Sequence, residues 1–331
     1  MLEFSPDIKK PLPLPKHDSW PDAKHLFDEK SMWAVRMAIA SGRPLLLRGE
    51  PGIGKSQLAR AAAVELHVPF LYHVIDERSE RDELLYTYDA VARLAEAQVS
   101  ALAAKDENGQ SKGNWRTSLA ERNFIRPGVL WWAYNWGEAK IQADLYKKHC
   151  RNCEEPFAGN WTPTAERLCG PVVLIDEIDK ADPSVPNGLL ESLGNQGFRT
   201  TQLDCAVELP KGAKPPLVII TTNEERELPF AFLRRCVVLQ MELPKDLIQD
   251  RARVYWTKGQ LSDGVCEKVL GLLMAERKKA EDDGLAKPGA SEFLDILRAL
   301  DRLHPINETL QLEALEKIAD FALKKNADQG T

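Results

Sequence analysis

The segment Gly49-Glu50-Pro51-Gly52-Ile53-Gly54-Lys55-Ser56 fits the pattern G-x-x-x-x-G-K-[ST], and few short patterns constrain a fold as strongly. An apolar run, Leu45-Leu46-Leu47, precedes it and a helical pattern over Ser56–Leu66 follows. Glycines permit tight curvature, so successive backbone N–H groups turn inward toward anionic oxygens. A helix beginning there adds the positive end of its dipole. Lys55 supplies a point charge for β- and γ-phosphates, and the Ser56 hydroxyl is a Mg²⁺ ligand. Gln57, in the first helical turn, is counted with the loop.

Four more short apolar runs are bounded by turn signals: Pro69–Ile75, Val172–Ile175, Leu217–Ile220 and Val237–Leu239. Helical patterns lie between most of them. Buried strands alternating with helices predict an α/β fold with a five-stranded parallel sheet. After Pro244 the pattern turns helical over 245–258, 262–282, 291–303 and 308–325. Val265, Val269, Leu272 and Leu273 form one stripe; Phe293, Ile296, Leu297 and Leu300 form another. The expected domains are an extended proline-rich arm over 1–24, an α/β nucleotide-binding region over 25–243 and an all-helical region over 244–331. The first helix is expected from His25 to Ala40, and another from Leu84 to Ala104, followed by a polar loop over 105–114. Five of the eight tryptophans fall at Trp115, Trp131, Trp132, Trp136 and Trp161, a density that predicts a small local core.

The run Val172-Val173-Leu174-Ile175 ends in Asp176-Glu177-Ile178-Asp179. Acids at the C-terminal end of a buried strand lie where ligands bind in open α/β sheets. Asp176 is assigned to Mg²⁺, partly through its water shell, and Glu177 to the attacking water. Asn223 ends the next strand and is placed beside the γ-phosphate. Arg234 and Arg235, between a short helix and a strand, read either as a solvated pair or as a finger toward a neighbouring subunit's nucleotide.

Phosphate loop, VVLIDEID, ITTN and LPFAFLRRC follow one another in the order of an AAA+ ATPase. The details resemble the MoxR family. Phe124-Ile125-Arg126-Pro127-Gly128-Val129-Leu130 is similar to an element ahead of that family's second acidic motif, and Gly188–Leu193 to its next helix. The resemblance implies an AAA+ module with a helical lid that hydrolyses ATP with Mg²⁺. It makes Arg235 the finger, with Arg234 second. It implies a homo-oligomeric ring, hexameric in the family, that remodels or activates a client protein, often with a von Willebrand A-domain protein as partner. It also places a helix-2 insertion over 84–126 and a hairpin near 197–216. Two departures stand out. Gly289-Ala290-Ser291 is followed by Glu292-Phe293 where the family often has an arginine, the next being Arg298. The segment 137–170 lies outside the family core.

That segment holds Cys150, Cys153 and then Cys169. A lone C-x₂-C is half a zinc site, and structural zinc takes four ligands, so reduced thiols are the simpler reading and zinc the alternative. Six cysteines, no apolar leader and no run of ~18 apolar residues predict a cytoplasmic chain without a membrane span. The net charge of −6 counts against nucleic acid as partner. Lys140, Lys147, Lys148 and Arg151 keep a nucleic-acid motor or defence-system NTPase as the alternative. A nucleotide switch without turnover is disfavoured by Glu177 and Asn223.

Overall fold

The computed structural model describes residues 4–103, 119–150, 153–157, 161–162, 164, 166–200, 206–242, 248–250, 254–256 and 261–324. The chain divides into two compact units. One comprises Met1–Ser5, Met32–Leu47 and Ala62–Leu239; the other comprises Pro6–Ser31, Arg48–Ala61 and Gln240–Thr331.

The first unit is built on a parallel sheet whose strands are β1 (Leu45–Arg48), β2 (Phe70–Val74), β3 (Val172–Asp176), β4 (Leu217–Thr222) and β5 (Val237–Gln240). All five predicted runs are strands, in the spatial order β5-β1-β4-β3-β2. In register, Ile220 lies beside Ile175, and Val74 beside Asp176. Leu45, Leu46, Leu47, Val172, Val173, Leu174 and Ile175 are fully buried. Continuous burial without alternation is the mark of a sheet covered on both faces.

Around the sheet, two expectations are corrected or completed. The helix expected over Leu84–Ala104 is broken. Arg81–Leu85 is helical, Tyr86–Tyr88 is a strand paired antiparallel with Ile125–Pro127, and the helix proper is Ala90–Ala103. Aromatic and β-branched side chains at 86–88 favour pairing over helix. Asp89 then restarts the helix, its carboxylate accepting the Ala92 N–H at 2.8 Å. The polar stretch 105–114 and Trp115 lie outside the described residues. Gly197–Arg199 pairs antiparallel with Ala206–Glu208 where a hairpin is expected; residues 201–205 lie outside the described residues. Trp131, Trp132, Trp136 and Trp161 are all buried, with the Trp132 and Trp136 rings 5.1 Å apart, as the local-core reading requires.

In the second unit the proline-rich arm is more ordered than an extended leader. Leu12–Leu14 pairs antiparallel with Ala23–His25. The helix expected from His25 therefore starts at Glu29, capped by Asp28, which accepts the Ser31 N–H at 2.8 Å. Prolines offer carbonyls without donors of their own. Arg60, only 2% exposed, supplies those donors to Leu14 O, Pro15 O and Pro21 O.

The same unit contains the C-terminal helices Asp263–Asp282, Ala290–Leu303 and Glu308–Leu323. Most of the predicted 245–258 helix lies outside the described residues. Ser262 and Asn307 cap two helices by accepting N–H groups three residues on. The apolar stripes meet in one core containing Val265, Val269, Leu273, Phe293, Ile296, Leu297, Leu300 and Leu315. Leu297→Ala leaves a cavity there and is expected to cost about 2–5 kcal/mol. Leu303→Ala, at a 56% exposed position, should stay within about 0.5 kcal/mol. Urea denaturation of the three proteins checks both.

Candidate nucleotide site

The phosphate loop and the acidic strand end belong to different units and are described separately. Gly52 has φ +73° and Gly54 φ +97°, a region costly for side-chain residues. A Cβ on Gly49 would lie 2.6 Å from Met241 O. Lys55 is buried, and its ammonium donates to Gly49 O at 2.6 Å and Glu50 O at 2.9 Å, closing the loop on itself. The helix begins at Lys55, with Leu58 N–H donating to Gly54 O. Residues 49–54 thus form a glycine turn that leads into the helix at Lys55, with Gln57 in its first turn.

In the same unit the helical region packs directly on this loop. Glu50 accepts from Arg277 Nη2 at 2.6 Å, and Lys287 Nζ lies 3.4 Å from its other oxygen. Pro51 O would meet a Cβ on Gly289, and Ser291 one on Gly52. Arg298, the arginine after Gly-Ala-Ser, pairs with Asp295 at 2.9 Å.

The other unit brings Asp176, Glu177 and Asn223 together at the ends of β3 and β4. Thr221, fully buried, donates its hydroxyl to Asp176 Oδ1 at 2.5 Å and accepts the Glu177 N–H at 2.9 Å. Glu177 has φ 60° and ψ 47°, the left-handed region, a strain of about 1–3 kcal/mol. Its carboxylate lies between Asn223 Nδ2 at 3.1 Å and Lys180 Nζ at 2.6 Å. Hydrogen bonding to Glu177 raises the Lys180 pKa. Asp179, 2% exposed, accepts from the Asn223 and Glu225 N–H groups at 3.2 and 3.0 Å. It thereby holds the turn that carries Asn223.

Thr221, Lys180, Asp179, Arg277 and Arg43 contact the expected site residues in ways that the sequence reading did not foresee. Lys180 carried a local signal, three residues after Glu177 on a short helical turn. Arg43 carried none. It donates to Arg235 O at 3.1 Å and to Arg234 O, anchoring the turn after the Phe230–Leu233 helix. Both finger candidates are exposed. Arg234 lies over the Phe230 ring, whereas Arg235 lines a cavity of about 340 Å³ with Arg43, Gln196, Phe232 and Cys236.

Cys150, Cys153 and Cys169 are buried free thiols. Burial raises all three pKa values, that of Cys169 to about 12. Such thiols are unreactive. Among the described residues no three His, Cys, Asp or Glu side chains gather closely enough to hold a metal, so the zinc alternative finds no ligand set there. No described helix is long and apolar enough to cross a membrane.

The family model described as "AAA domain (dynein-related subfamily)" matches residues 44–236, more than half of the chain. No curated protein matches. Among solved structures, the chain is similar to a candidate ATPase from Cytophaga hutchinsonii, at 14% identity and TM-score 0.36, over 82% of this chain and 72% of that one. It is also similar to the RuvB Holliday junction branch migration motor of Thermotoga maritima, at 14% identity and TM-score 0.40, over 88% and 67%. The P216G mutant of that motor gives 14% identity and TM-score 0.42, over 88% and 69%.

Thr221→Val keeps the shape and removes the hydroxyl. It leaves Asp176 and the Glu177 N–H each without this partner and is expected to cost about 1–3 kcal/mol. Thr221→Ser, which restores the hydroxyl, should recover most of that loss in thermal unfolding.

Proposed function

This chain belongs to the AAA domain family, dynein-related subfamily, and is an ATPase; from that premise we propose a MoxR-like ATPase that works as a cytoplasmic homo-oligomeric ring, hexameric by resemblance. In this reading the ring remodels or activates a client protein, with a von Willebrand A-domain protein as the partner class. The arm (1–24), nucleotide-binding region (25–243) and lid (244–331) are its working parts. The observation that carries the proposal is the Asp176–Thr221–Glu177–Asn223 cluster, one hydrogen-bonded set at the ends of adjacent parallel strands.

The roles follow from the chemistry. Backbone N–H groups of residues 49–56 and the Lys55 ammonium bind phosphate oxygens, with Gln57 in the first helical turn beside them. A hydroxyl and a carboxylate are hard oxygen donors that suit Mg²⁺, so Ser56 and Asp176 would hold it, partly through water. Bound there, the ion would neutralise charge on the β- and γ-phosphate oxygens. Glu177 orients and polarises the attacking water, and Asn223 fixes the carboxylate and that water. Arg235, or Arg234 beside it, brings a permanent charge to the γ-phosphate of a neighbouring copy.

Glu177→Gln should bind a fluorescent ATP analogue like the wild type while losing about 10²–10⁴ in turnover. Lys55→Ala should lose both together. Wild-type turnover by Glu177→Gln rejects the assignment.

The ring makes its own prediction. Arg235→Ala should bind nucleotide yet lose about 10³–10⁵ in rate. Mixing it with Lys55→Ala should restore part of the activity, because an intact site then faces an intact finger. Light scattering with ATP present should report an oligomer. Turnover by a strict monomer contradicts the ring. DNA or RNA should not stimulate hydrolysis.

A further inference from the structure

Glu50 is an oddity of the loop. A carboxylate in a loop built for polyanions repels the ligand unless its charge is cancelled. Here it is cancelled from the helical region of the same unit. Arg277, with a side chain 13% exposed, donates one nitrogen to Glu50 Oε2 at 2.6 Å and another to Pro288 O at 2.6 Å. Its fork is therefore held at both ends, one on the loop and one at the entry to the Ala290–Leu303 helix. Lys287 adds a second cation 3.4 Å from Glu50 Oε1, itself steadied by Glu281 at 3.0 Å. On either side of this group the chain leaves little room for a side chain at the glycines. A Cβ on Gly289 would lie 3.0 Å from Pro51 O, and one on Gly49 would lie 2.6 Å from Met241 O.

We propose that Glu50, Arg277 and Lys287 form a tether through which the helical region holds the phosphate loop in its anion-binding shape. The inference rests on the phosphate-binding reading of residues 49–56. The Glu50 and Arg277 side chains are positioning groups: they act on the nucleotide through the loop backbone. Breaking the tether loosens the N–H groups that every nucleotide uses. It therefore weakens ATP and ADP alike and leaves the water-activating residues intact.

The test is titration of fluorescent ATP and ADP analogues against the full-length wild type, Glu50→Gln, Arg277→Ala, the double variant and Arg277→Lys, with steady-state hydrolysis alongside. The expected result is a loss of affinity of about tenfold in each single variant, equal for both nucleotides. KM should rise while kcat changes little. The double variant should be no worse than Glu50→Gln, which already releases both Arg277 and Lys287. Arg277→Lys, which keeps the charge, should retain part of the affinity. Wild-type affinity in both single variants overturns the tether, as does a double variant clearly weaker than Glu50→Gln. A selective loss of ATP in Arg277→Ala, with Glu50→Gln unaffected, also overturns it, because Arg277 would then act on the nucleotide itself. A wild-type chain that binds neither analogue rejects the phosphate-binding reading as well. Matching circular dichroism spectra and urea midpoints separate a loosened loop from an unfolded chain.

Discussion

The parallel register of β3 against β4 governs the acidic half of the site. Ile175 beside Ile220 brings Asp176 level with Thr221, so one hydroxyl serves both Asp176 and the backbone of Glu177. Slipping that register by one residue would turn every side chain to the opposite face. Thr221 would then leave Asp176, and the left-handed backbone of Glu177 would lose the hydrogen bond that holds it. The fully apolar strands make such a slip costly, because both faces of the sheet are packed. The position of the acids is thus a consequence of packing well away from them.

Glu177 occupies a constrained place within that frame. It combines an uncommon backbone conformation with a carboxylate engaged on both oxygens, by Asn223 and by Lys180. Asp179 adds a second level of restraint by holding the turn of Asn223 through backbone N–H groups. Strain at one residue is offset by hydrogen bonds with three others, Thr221, Asn223 and Lys180. That arrangement is expected where a side chain must be aimed rather than merely buried.

The five strands and the phosphate loop were legible in sequence because their signals are local: short apolar runs, glycine spacing, a lysine at a set offset. The C-terminal helices were legible for the same reason, through their stripes. What escaped depends on distant pairing. The strand at Tyr86–Tyr88 exists because Ile125–Pro127 lies beside it, and a helix-like composition around it concealed the break. Thr221 looked like any strand residue, since its role needs a partner 45 positions away. Glu50 and Arg277 are 227 positions apart, beyond any periodicity. The cysteines were legible in part: a lone C-x₂-C favoured reduced thiols over zinc, and Cys150, Cys153 and Cys169 are buried free thiols.

The arm read from composition as an extended leader, yet Arg60 ties it into the fold. Its guanidinium is buried in the helix that follows the phosphate loop, and the carbonyls of Leu14, Pro15 and Pro21 are acceptors for its N–H groups. Removing the arm would strand a permanent cation that cannot shed its proton. A shortened version starting near Glu29 would thus carry its defect into the very helix that begins at Lys55. The arm's carbonyls are therefore part of the packing of that helix, and any tag or fusion joint belongs ahead of Leu12.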